Sequence, residues 1–295
     1  MKLIPLITEN WKVDGGTAFG VVPKVIWNSI IPADEHNLVN TTCRVMLVED
    51  GRRLVLIDTG MGTKQDEKFF SHRHLFGPRG LVSALNQAGY EPGQITDVLF
   101  THLHYDHVGG AVMRTGDGPE LVFRNARHWV SASQWDWAMN PNKREKASFL
   151  PENILPLKEL GCLNLIDAEG PFCDHIALRI FNGHTRGQII PVIDYNGITV
   201  VYTADFLASS AHIPLPWIPS YDIEPLISLE EKELFLHEAA DKGFVIVLEH
   251  DYFVEAITVA LTPGGIRLAE TGTLAELIAM KHQSVMSQAI TRGKI

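Results

Sequence analysis

The sequence predicts an α/β protein in which mixed β-sheets pack face to face and helices cover their outer faces. Several strand-like apolar runs are followed directly by another such run, which fits a strictly parallel, doubly wound sheet poorly. Helical patterns separate the other runs. The chain has 295 residues, of which 45% are hydrophobic, so it can bury a sizeable core. We therefore expect one α/β domain over residues 1–295.

The elements follow one another along the chain as short apolar runs, and the alternation of the N-terminal segment is typical of a first strand. Strand-like runs lie at residues 43–48, 54–58, 97–101, 121–123, 128–130, 176–181, 189–193, 198–203, 244–249 and 256–261. Helical patterns lie at residues 80–89, 131–140, 228–242 and 273–282. In the third helix we expect Ser228 to be the N-cap, with Glu231 three residues later, and Gly243 to end the helix.

Charge and composition exclude several classes of partner. The formal net charge is −10, and the Lys and Arg residues are scattered, so nucleic acid is not expected as a partner. No apolar run approaches the roughly 20 residues that span a bilayer, and the N-terminus turns polar too soon for a signal peptide. Cys43, Cys162 and Cys173 form neither a CxxC pair nor an even framework, which is typical of a reducing compartment. We expect a cytoplasmic protein with no membrane partner.

Three histidines and an aspartate fall within one run that directly follows the apolar strand at residues 97–101. In an extended segment His102 and His104 point the same way, because side-chain direction repeats every second residue, and together they can hold one metal ion. Asp106 and His107 lie just beyond, where the chain must turn, and can face a second ion. The alternative is a polar strand end with surface histidines, which so dense a set of ligand-type residues disfavours.

Later strands end in residues of the same kind. His184, Asp205 and His250 each directly follow a strand-like run, and Asp58 repeats the arrangement at the end of an earlier one. Any one of them alone is best interpreted as a solvated strand-end residue. Because all of them occupy the same position relative to a strand, a common site is the better interpretation.

The order of these residues resembles the five-motif signature of the metallo-β-lactamase superfamily, over roughly residues 40 to 255. The resemblance implies a four-layer αββα sandwich of two mixed β-sheets, with helices on the outer faces and the site at one edge between the sheets. It implies one ion with the ligands His102, His104 and His184, and a second with the ligands Asp106, His107 and His250. Asp205 would bridge the two ions, and Asp58 would lie outside them and orient a ligand.

Two divalent metal ions are therefore the expected cofactors. Imidazole and carboxylate suit zinc, which we expect, and iron, manganese and cobalt are the alternatives. Two ions about 3.5–4 Å apart can share a bridging water and lower its pKa toward about 7, which gives hydroxide at neutral pH. One ion would polarise the carbonyl or phosphoryl oxygen of the substrate, and the other would hold the leaving oxygen. Asp106 can accept a proton and pass it to the leaving group.

Within the superfamily, the residues favour some activities over others. True β-lactamases of the commonest class have Cys at the position of Asp205, and diiron flavoproteins usually have Glu at the position of His104. Members that process tRNA carry basic extensions, which this acidic chain lacks. Glyoxalase II keeps the same ligands, so a thioesterase of that kind stays an alternative, although its C-terminal helical region supplies basic residues for glutathione. Here that region holds a short strand-rich stretch before one helix.

Two segments resemble the branch that contains lactonases and methyl-parathion-hydrolase-like enzymes. Residues 15–27 resemble its FGxVPKxxW stretch, and residues 221–225 resemble the segment ahead of its last core helix. The resemblance implies hydrolysis of a small-molecule substrate that is an ester, a lactone or phosphotriester-like, and a homodimer. A non-catalytic, metal-bound sensor or binding protein is the alternative from another class, and the complete ligand set weighs against it.

Candidate substrate contacts come from the same two parts of the chain. Phe19 and Trp27 belong to an N-terminal arm of about residues 1–40 that covers the site or a dimer partner, and core packing is the other interpretation of both side chains. His212, Trp217 and Tyr221 follow the bridging aspartate in a Pro-rich loop that can overhang the ions.

The catalytic hydrogen-bond donor is a separate expectation. Many N-acyl-homoserine lactonases of this branch carry a Tyr three residues after the bridging aspartate, where this chain has Ala208. A lactonase interpretation therefore loses its expected donor unless Tyr221 or His212 supplies one, and we assign this role to Tyr221. Tyr105, inside the histidine run, is expected to pack rather than to act on the substrate.

Overall fold

The computed structural model describes residues 1–291 of the chain. Its strands are β1 (Lys2–Asp14), β2 (Leu38–Asp50), β3 (Arg53–Ile57), β4 (Phe76–Arg79), β5 (Asp97–Leu99), β6 (Val112–Thr115), β7 (Gly118–Leu121), β8 (Arg127–Ser131), β9 (Leu163–Ile166), β10 (Gly170–Cys173), β11 (Ile176–Phe181), β12 (Gln188–Tyr195), β13 (Ile198–Tyr202), β14 (Val245–Val247), β15 (Ala256–Thr262) and β16 (Gly265–Gly272). Its α-helices are α1 (Gly15–Phe19), α2 (Lys24–Trp27), α3 (Glu67–Ser71), α4 (Leu81–Gln87), α5 (Tyr105–Val108), α6 (Ala132–Met139), α7 (Pro151–Glu159), α8 (Pro225–Lys242) and α9 (Leu274–Thr291).

The strands form two seven-stranded sheets and a separate β6–β7 hairpin. The first sheet has the order β4-β1-β2-β3-β5-β8-β9, and the second has the order β10-β11-β12-β13-β14-β15-β16. In the first sheet β3, β5, β8 and β9 pair parallel, while β1, β2 and β3 pair antiparallel. In the second sheet β13 and β14 pair parallel and their neighbours pair antiparallel. Both sheets are mixed because tight turns join some strands and helical crossovers join others.

The two sheets pack face to face because several of their strands are apolar on both faces. Met46 of β2 lies in one core with Val200 of β13, so this core is shared by the two sheets. Its neighbour Val45 points the other way, into a core that includes Leu85 of α4. Phe235 of α8 packs on the outer face of the second sheet. The result is the predicted four-layer αββα sandwich.

Most predicted strands and helices are present, with shifted ends, and two predictions are corrected. Residues 122–123 are not in a strand, because β7 ends at Leu121 and Phe123 turns into the core. Ser228 is not an N-cap, because α8 begins earlier, with Pro225 at its first position. The Ser228 hydroxyl donates instead to Asp222 Oδ2 at 2.6 Å. Gly243 ends the helix in the left-handed conformation, as predicted.

Only part of the predicted N-terminal arm of about residues 1–40 lies outside the first sheet. β1 pairs antiparallel with β2 along its whole length, so residues 2–14 are built into the first sheet. α1 and α2, with the chain that follows them up to β2, lie outside the sheet. Within residues 1–291, no helix combines the length and apolar character that crossing a bilayer requires. Cys43 is buried, Cys162 and Cys173 are half-buried, and none of the three forms a disulfide.

The strand ends that carry the predicted ligands meet at one edge of the sandwich. β3 and β5 run parallel, and their carboxyl ends lead into Asp58 and into the run from His102 to His107. β13 and β14 also run parallel, and their carboxyl ends lead into Asp205 and His250. His184 lies in the turn between β11 and β12. Ligand-type residues that are far apart in sequence therefore come together between the sheets.

Candidate metal centre

A first cluster of donor atoms forms where β5 and β11 end. His102 Nε2 lies 3.0 Å from His104 Nδ1, and His184 Nε2 lies 3.2 Å from the same atom of His104. Asp205 Oδ2 lies 3.2 Å from His184 Nε2. The four side chains are buried, and their donor atoms all lie within 4.8 Å of one another. Three imidazoles and a carboxylate at this spacing can hold one divalent ion.

A second cluster shares Asp205 with the first. His250 Nε2 lies 2.6 Å from Asp205 Oδ1, and His107 Nε2 lies 3.1 Å from the same oxygen. The two ring nitrogens are 3.3 Å apart. Asp106 Oδ2 is more distant, at 3.8 Å from His107 Nε2 and 3.9 Å from His250 Nε2. Glu249 also lies within 4.8 Å of this group, with Oε2 3.3 Å from the other ring nitrogen of His107.

Asp205 is the structural link between the clusters, because each of its oxygens faces a different one. Its Oδ1 atom is buried and accepts no hydrogen bond from any residue in the described part of the chain, although ring nitrogens lie 2.6 and 3.1 Å away. A buried carboxylate oxygen without a hydrogen bond needs a partner, and a coordinated cation is one. The donor set of imidazole and carboxylate groups therefore fits a pair of divalent ions.

Each of the five histidines is also held through its outer ring nitrogen. The acceptors are Thr101 Oγ1 for His102 (3.1 Å), Glu145 Oε1 for His104 (2.9 Å), Asp58 Oδ2 for His107 (3.1 Å), Asp222 Oδ1 for His184 (2.9 Å) and the Thr42 carbonyl oxygen for His250 (2.7 Å). An acceptor at the outer nitrogen places a ring hydrogen there and turns the inner nitrogen toward the cluster. The histidines are thus oriented as metal ligands before any ion binds.

Asp58 lies behind His107 and outside both clusters. Its carboxylate accepts hydrogen bonds from Thr101 N at 2.8 Å and from Thr101 Oγ1 at 2.6 Å, so it ties β3 to the start of the histidine run. The loop after Asp58 passes so close to this run that a Cβ atom on Gly109 would overlap the Met61 carbonyl. Glycine is therefore required after the histidine run for the two loops to meet.

The histidines differ in the direction of their pKa shifts, and the difference does not simply follow the two clusters. Burial lowers the pKa of His102 in the first cluster. In the same cluster burial acts to lower the pKa of His184, but Asp205 and Asp222 outweigh it and the pKa is raised.

In the second cluster, burial acts in the same direction on His107 and His250, but nearby carboxylates outweigh it. Glu249 and Asp205 raise the pKa of His107, and Asp205 raises the pKa of His250 to about 9. Without a bound cation, His102 is neutral at pH 7, whereas His107 and His250 are protonated on both ring nitrogens, so a metal ion would have to displace the inner protons.

A cavity of about 420 Å³ opens onto both clusters. Trp11, Val13 and Ile223 contribute apolar wall, and Tyr221 stands over the first cluster with its ring perpendicular to that of His184, 5.6 Å away. The Tyr221 hydroxyl makes no hydrogen bond with any residue of the described range. Burial raises the pKa of this phenol well above 10, so it stays protonated and can donate. Tyr221 is therefore where the sequence predicted it.

Phe19, Trp27, His212 and Trp217 form a buried group that we call the aromatic cluster, and none of them lines the cavity. The Phe19 ring stacks on Trp27 at 4.9 Å and on His212 at 5.1 Å, and Trp217 meets it edge-on at 5.8 Å. Both ring nitrogens of His212 already have partners, at 2.7 and 2.9 Å. The prediction that these four residues contact the substrate is therefore corrected, because α1 and α2 bury the rings against the loop after β13.

Tyr105 was expected only to pack, but in the structure it lines the cavity as well as packing against its neighbours. Its ring meets Phe69 edge-on at 5.2 Å and lies under the Arg73 guanidinium at 4.4 Å, while another part of it reaches the cavity wall. Ala208 is buried, so the position of the expected lactonase tyrosine contributes no hydroxyl.

Three carboxylates at the site were not predicted from the sequence, namely Glu145, Asp222 and Glu249. Glu145 lies in a charged stretch that gives no sign of burial, yet it is 3% exposed and accepts hydrogen bonds from four side chains. Asp222 lies in residues 221–225, which resemble the lactonase branch, and this resemblance was the only feature of the sequence that pointed to it. Glu249 directly precedes His250, and its position at the end of the apolar run of residues 244–249 was the only hint in the sequence.

The sequence model of the metallo-beta-lactamase superfamily matches residues 40–250. The chain belongs to this superfamily. The matched span contains Asp58, the histidine run, His184, Asp205 and His250, which are the residues that the structure gathers at one edge. Membership and the two His/Asp clusters together support a metal-dependent hydrolase that uses divalent ions.

Similar proteins include hydrolases and lactonases. A probable metallo-hydrolase of Mycobacterium bovis is 25% identical over 241 residues, which cover 71% of this chain and 74% of that protein. An N-acyl homoserine lactonase from a Bacillus species is 25% identical over 176 residues, which cover 52% of this chain and 63% of that protein.

Solved structures share the fold over most of the chain. A probable metal-dependent hydrolase from Staphylococcus aureus is 28% identical, with a TM-score of 0.83, and the match covers 92% of this chain and 98% of that one. The dizinc quorum-quenching lactonase AidC is 22% identical, with a TM-score of 0.77, and the match covers 92% of this chain and 95% of that one. At this level of identity, the similarity to AidC shows a shared fold.

Proposed function

We propose that this protein is a dinuclear zinc hydrolase that acts on a small ester, lactone or phosphotriester-like substrate. The observation that carries the proposal is the position of Asp205, whose two oxygens face two separate groups of histidine nitrogens. A single-ion site needs no shared carboxylate of this kind. In the proposal His102, His104 and His184 hold one ion, and Asp106, His107 and His250 hold the other.

Two bound ions would supply Lewis acidity toward the substrate oxygen and an activated water as the nucleophile. The chain itself provides the remaining functions. Asp106 is buried at the cavity wall and accepts no hydrogen bond from a residue in the described range, so the carboxylate oxygen that does not hold the ion would be available to take a proton and deliver it to the leaving group. The Tyr221 hydroxyl, which is likewise unengaged, donates to the oxygen that gains charge.

The apolar wall and the similar proteins together support the substrate class. Trp11, Val13 and Ile223 line the cavity and can bind an acyl or aryl group while they displace water. Several curated relatives are named N-acyl homoserine lactonases, and AidC is named a dizinc lactonase. These names favour a lactone or ester and favour zinc.

A substrate panel tests the proposal. The zinc-loaded protein is assayed with a lactone, an aryl ester, a phosphotriester and a thioester, and the metal-stripped protein serves as the control. We expect metal-dependent turnover of at least one of the first three. Selective turnover of the thioester would replace the proposal with a glyoxalase-II-like activity. Binding of zinc without turnover of any substrate would point to a non-catalytic, metal-bound protein.

A further inference from the structure

Arg144 is the one lysine or arginine among the cavity-lining residues of the range 1–291. It lies in the loop between α6 and α7, whose course is fixed from both sides. The Asn142 side-chain oxygen accepts hydrogen bonds from the backbone N–H groups of Arg144 and Glu145 at 2.9 and 3.0 Å. Glu145 in turn bonds to His104 of the first cluster. The Arg144 guanidinium is therefore held next to the candidate metal centre by the same loop that orients His104.

The Arg144 side chain reaches across the cavity mouth. It donates from Nη2 to the carbonyl oxygen of Ser220, the residue that precedes Tyr221. A guanidinium carries five N–H donors, so this contact leaves most of them unused. Within the described residues no carboxylate forms a salt bridge with Arg144, and the side chain is exposed to solvent.

The acidic groups of the cavity do not neutralise this cation. Asp205 faces the histidine nitrogens of both clusters, and Glu145 accepts four hydrogen bonds through its two oxygens. Asp106 lies beside His107 and His250. Arg144 thus presents an unpaired positive charge at the mouth of an apolar-walled cavity, in a chain whose net charge is −10.

We propose that Arg144 forms an anion subsite, so that the preferred ester or lactone substrates carry a carboxylate or another anionic group remote from the scissile bond. The proposal rests on the hydrolase function proposed above and narrows its substrate class. A planar guanidinium binds a carboxylate through two parallel hydrogen bonds, which a neutral acyl chain cannot make. The acyl chain between the two groups would lie along the apolar wall.

The alternative role of Arg144 is structural. Its contact with the Ser220 carbonyl joins two loops, and a clasp of this kind would affect every substrate equally. The two roles separate in a comparison of substrates that differ only in charge. Mono-4-nitrophenyl glutarate and 4-nitrophenyl valerate have acyl chains of equal length and the same leaving group, and only the first carries a terminal carboxylate.

The variants are Arg144→Gln, which removes the charge, and Lys143→Gln as a matched control, since Lys143 is an exposed neighbouring cation that does not line the cavity. With the zinc-loaded protein, we expect Arg144→Gln to raise KM for the glutarate ester about 10-fold, the order of one charge-assisted hydrogen bond. The valerate ester should change less than about 2-fold, and kcat for both should stay within the same range. Added salt should raise KM for the glutarate ester in the unmodified protein.

Several outcomes would overturn the subsite. Equal effects of Arg144→Gln on both esters would mean that Arg144 only joins the two loops. No effect on either ester would mean that the Arg144 side chain is solvated, or that the substrate carboxylate binds the metal ions instead. If neither ester is hydrolysed, the proposed function is decided separately by the lactone and phosphotriester of the substrate panel. Calorimetric titration with the non-hydrolysable N-phenylglutaramic acid and N-phenylvaleramide then decides the subsite, because Arg144→Gln should weaken binding of the acid alone by about 10-fold.

Discussion

The strand ends at one edge of the sandwich and the aromatic cluster beside them are equally conspicuous in the sequence, but they have different roles in the structure. The strand ends bring histidines and carboxylates around a cavity. Phe19, Trp27, His212 and Trp217 pack against one another behind it, away from the cavity lining. The difference teaches that residue type alone predicts a site only when the fold dictates where the side chain points.

The physical reason lies in what each residue type can tolerate. Buried imidazoles and carboxylates need partners for every ring nitrogen and oxygen, so a group of them between two sheets has few arrangements open to it. An aromatic ring is stabilised equally by a core and by an apolar pocket wall. Trp11, which lines the cavity, and Trp27, which does not, cannot be distinguished by pattern.

The largest effect expected from a single change is that of Asp205→Ala. Among residues 1–291, Asp205 is the carboxylate that faces both clusters, so both proposed ion sites would lose a donor. We expect zinc content to fall to one equivalent or less and kcat/KM to fall by on the order of 10³-fold or more. Asp194→Ala, which changes an exposed aspartate at the far end of β12, is the control. Retention of both ions and of activity would contradict the proposal that Asp205 is shared by two ions.

The aromatic cluster should respond in stability instead. Phe19 is 1% exposed and stacks on two rings, so Phe19→Ala leaves a cavity that its neighbours cannot fill. We expect the free energy of unfolding to fall by about 3–5 kcal/mol in denaturant titrations, while kcat/KM of the folded fraction changes little. A large loss of kcat/KM with an unchanged free energy of unfolding would indicate that Phe19 contacts the substrate after all.

Tyr221→Phe tests the proposed hydrogen-bond donor, because it removes only the hydroxyl group. Loss of a donor to a developing negative charge costs on the order of 10²-fold in kcat. We expect an effect of that size with zinc content unchanged, since Tyr221 contacts the first cluster only through its ring. A change below about 3-fold would show that Tyr221 only packs.

Glu145→Gln addresses the way His104 is oriented. His104 donates to the Glu145 carboxylate, and although burial opposes it, this hydrogen bond lowers the pKa of Glu145 and keeps it ionised. The amide should weaken zinc affinity about 10–100-fold, measured by competition with a chelator, without changing the number of ions at saturation. Glu152→Gln, an exposed change in α7, is the control. Unaltered affinity would mean that the other contacts of His104 suffice to orient it.

The raised pKa of His250 gives a pH dependence. The pKa of His250 is raised to about 9 in the metal-free protein, so the stability that its charge contributes is present below its unfolded pKa of about 6.5 and is lost as pH rises through 9. Zinc must displace this proton. The difference in Tm between the zinc-loaded and metal-free proteins should therefore grow from pH 7 to 9, with affinity rising up to about 10-fold per pH unit for each displaced proton. A difference that stays constant would contradict this account.

The sequence predicted the two-layered sheet core and the residues of both clusters because those features repeat along the chain. The histidine run follows β5 directly, and Asp205 and His250 follow β13 and β14 in the same way. Glu145 was missed because its burial depends on Trp137, Asn142 and Thr185, which no local pattern relates to it.

The start of α8 was misplaced for a similar reason. Ser228 has the residue type of an N-cap, but a tertiary hydrogen bond to Asp222 uses its hydroxyl, and Pro225 sets the first turn. Local propensity gave the helix and its end at Gly243, whereas the exact start depended on a contact outside the helix.

The central claim is that Asp205 joins two ion sites, and the stoichiometry of zinc binding tests it most directly. Metal-stripped protein is reconstituted with excess zinc, freed of unbound metal and analysed by elemental mass spectrometry against protein concentration. We predict close to two equivalents per chain, because two separate groups of donor atoms share one carboxylate. A reproducible single equivalent after reconstitution would contradict the dinuclear site.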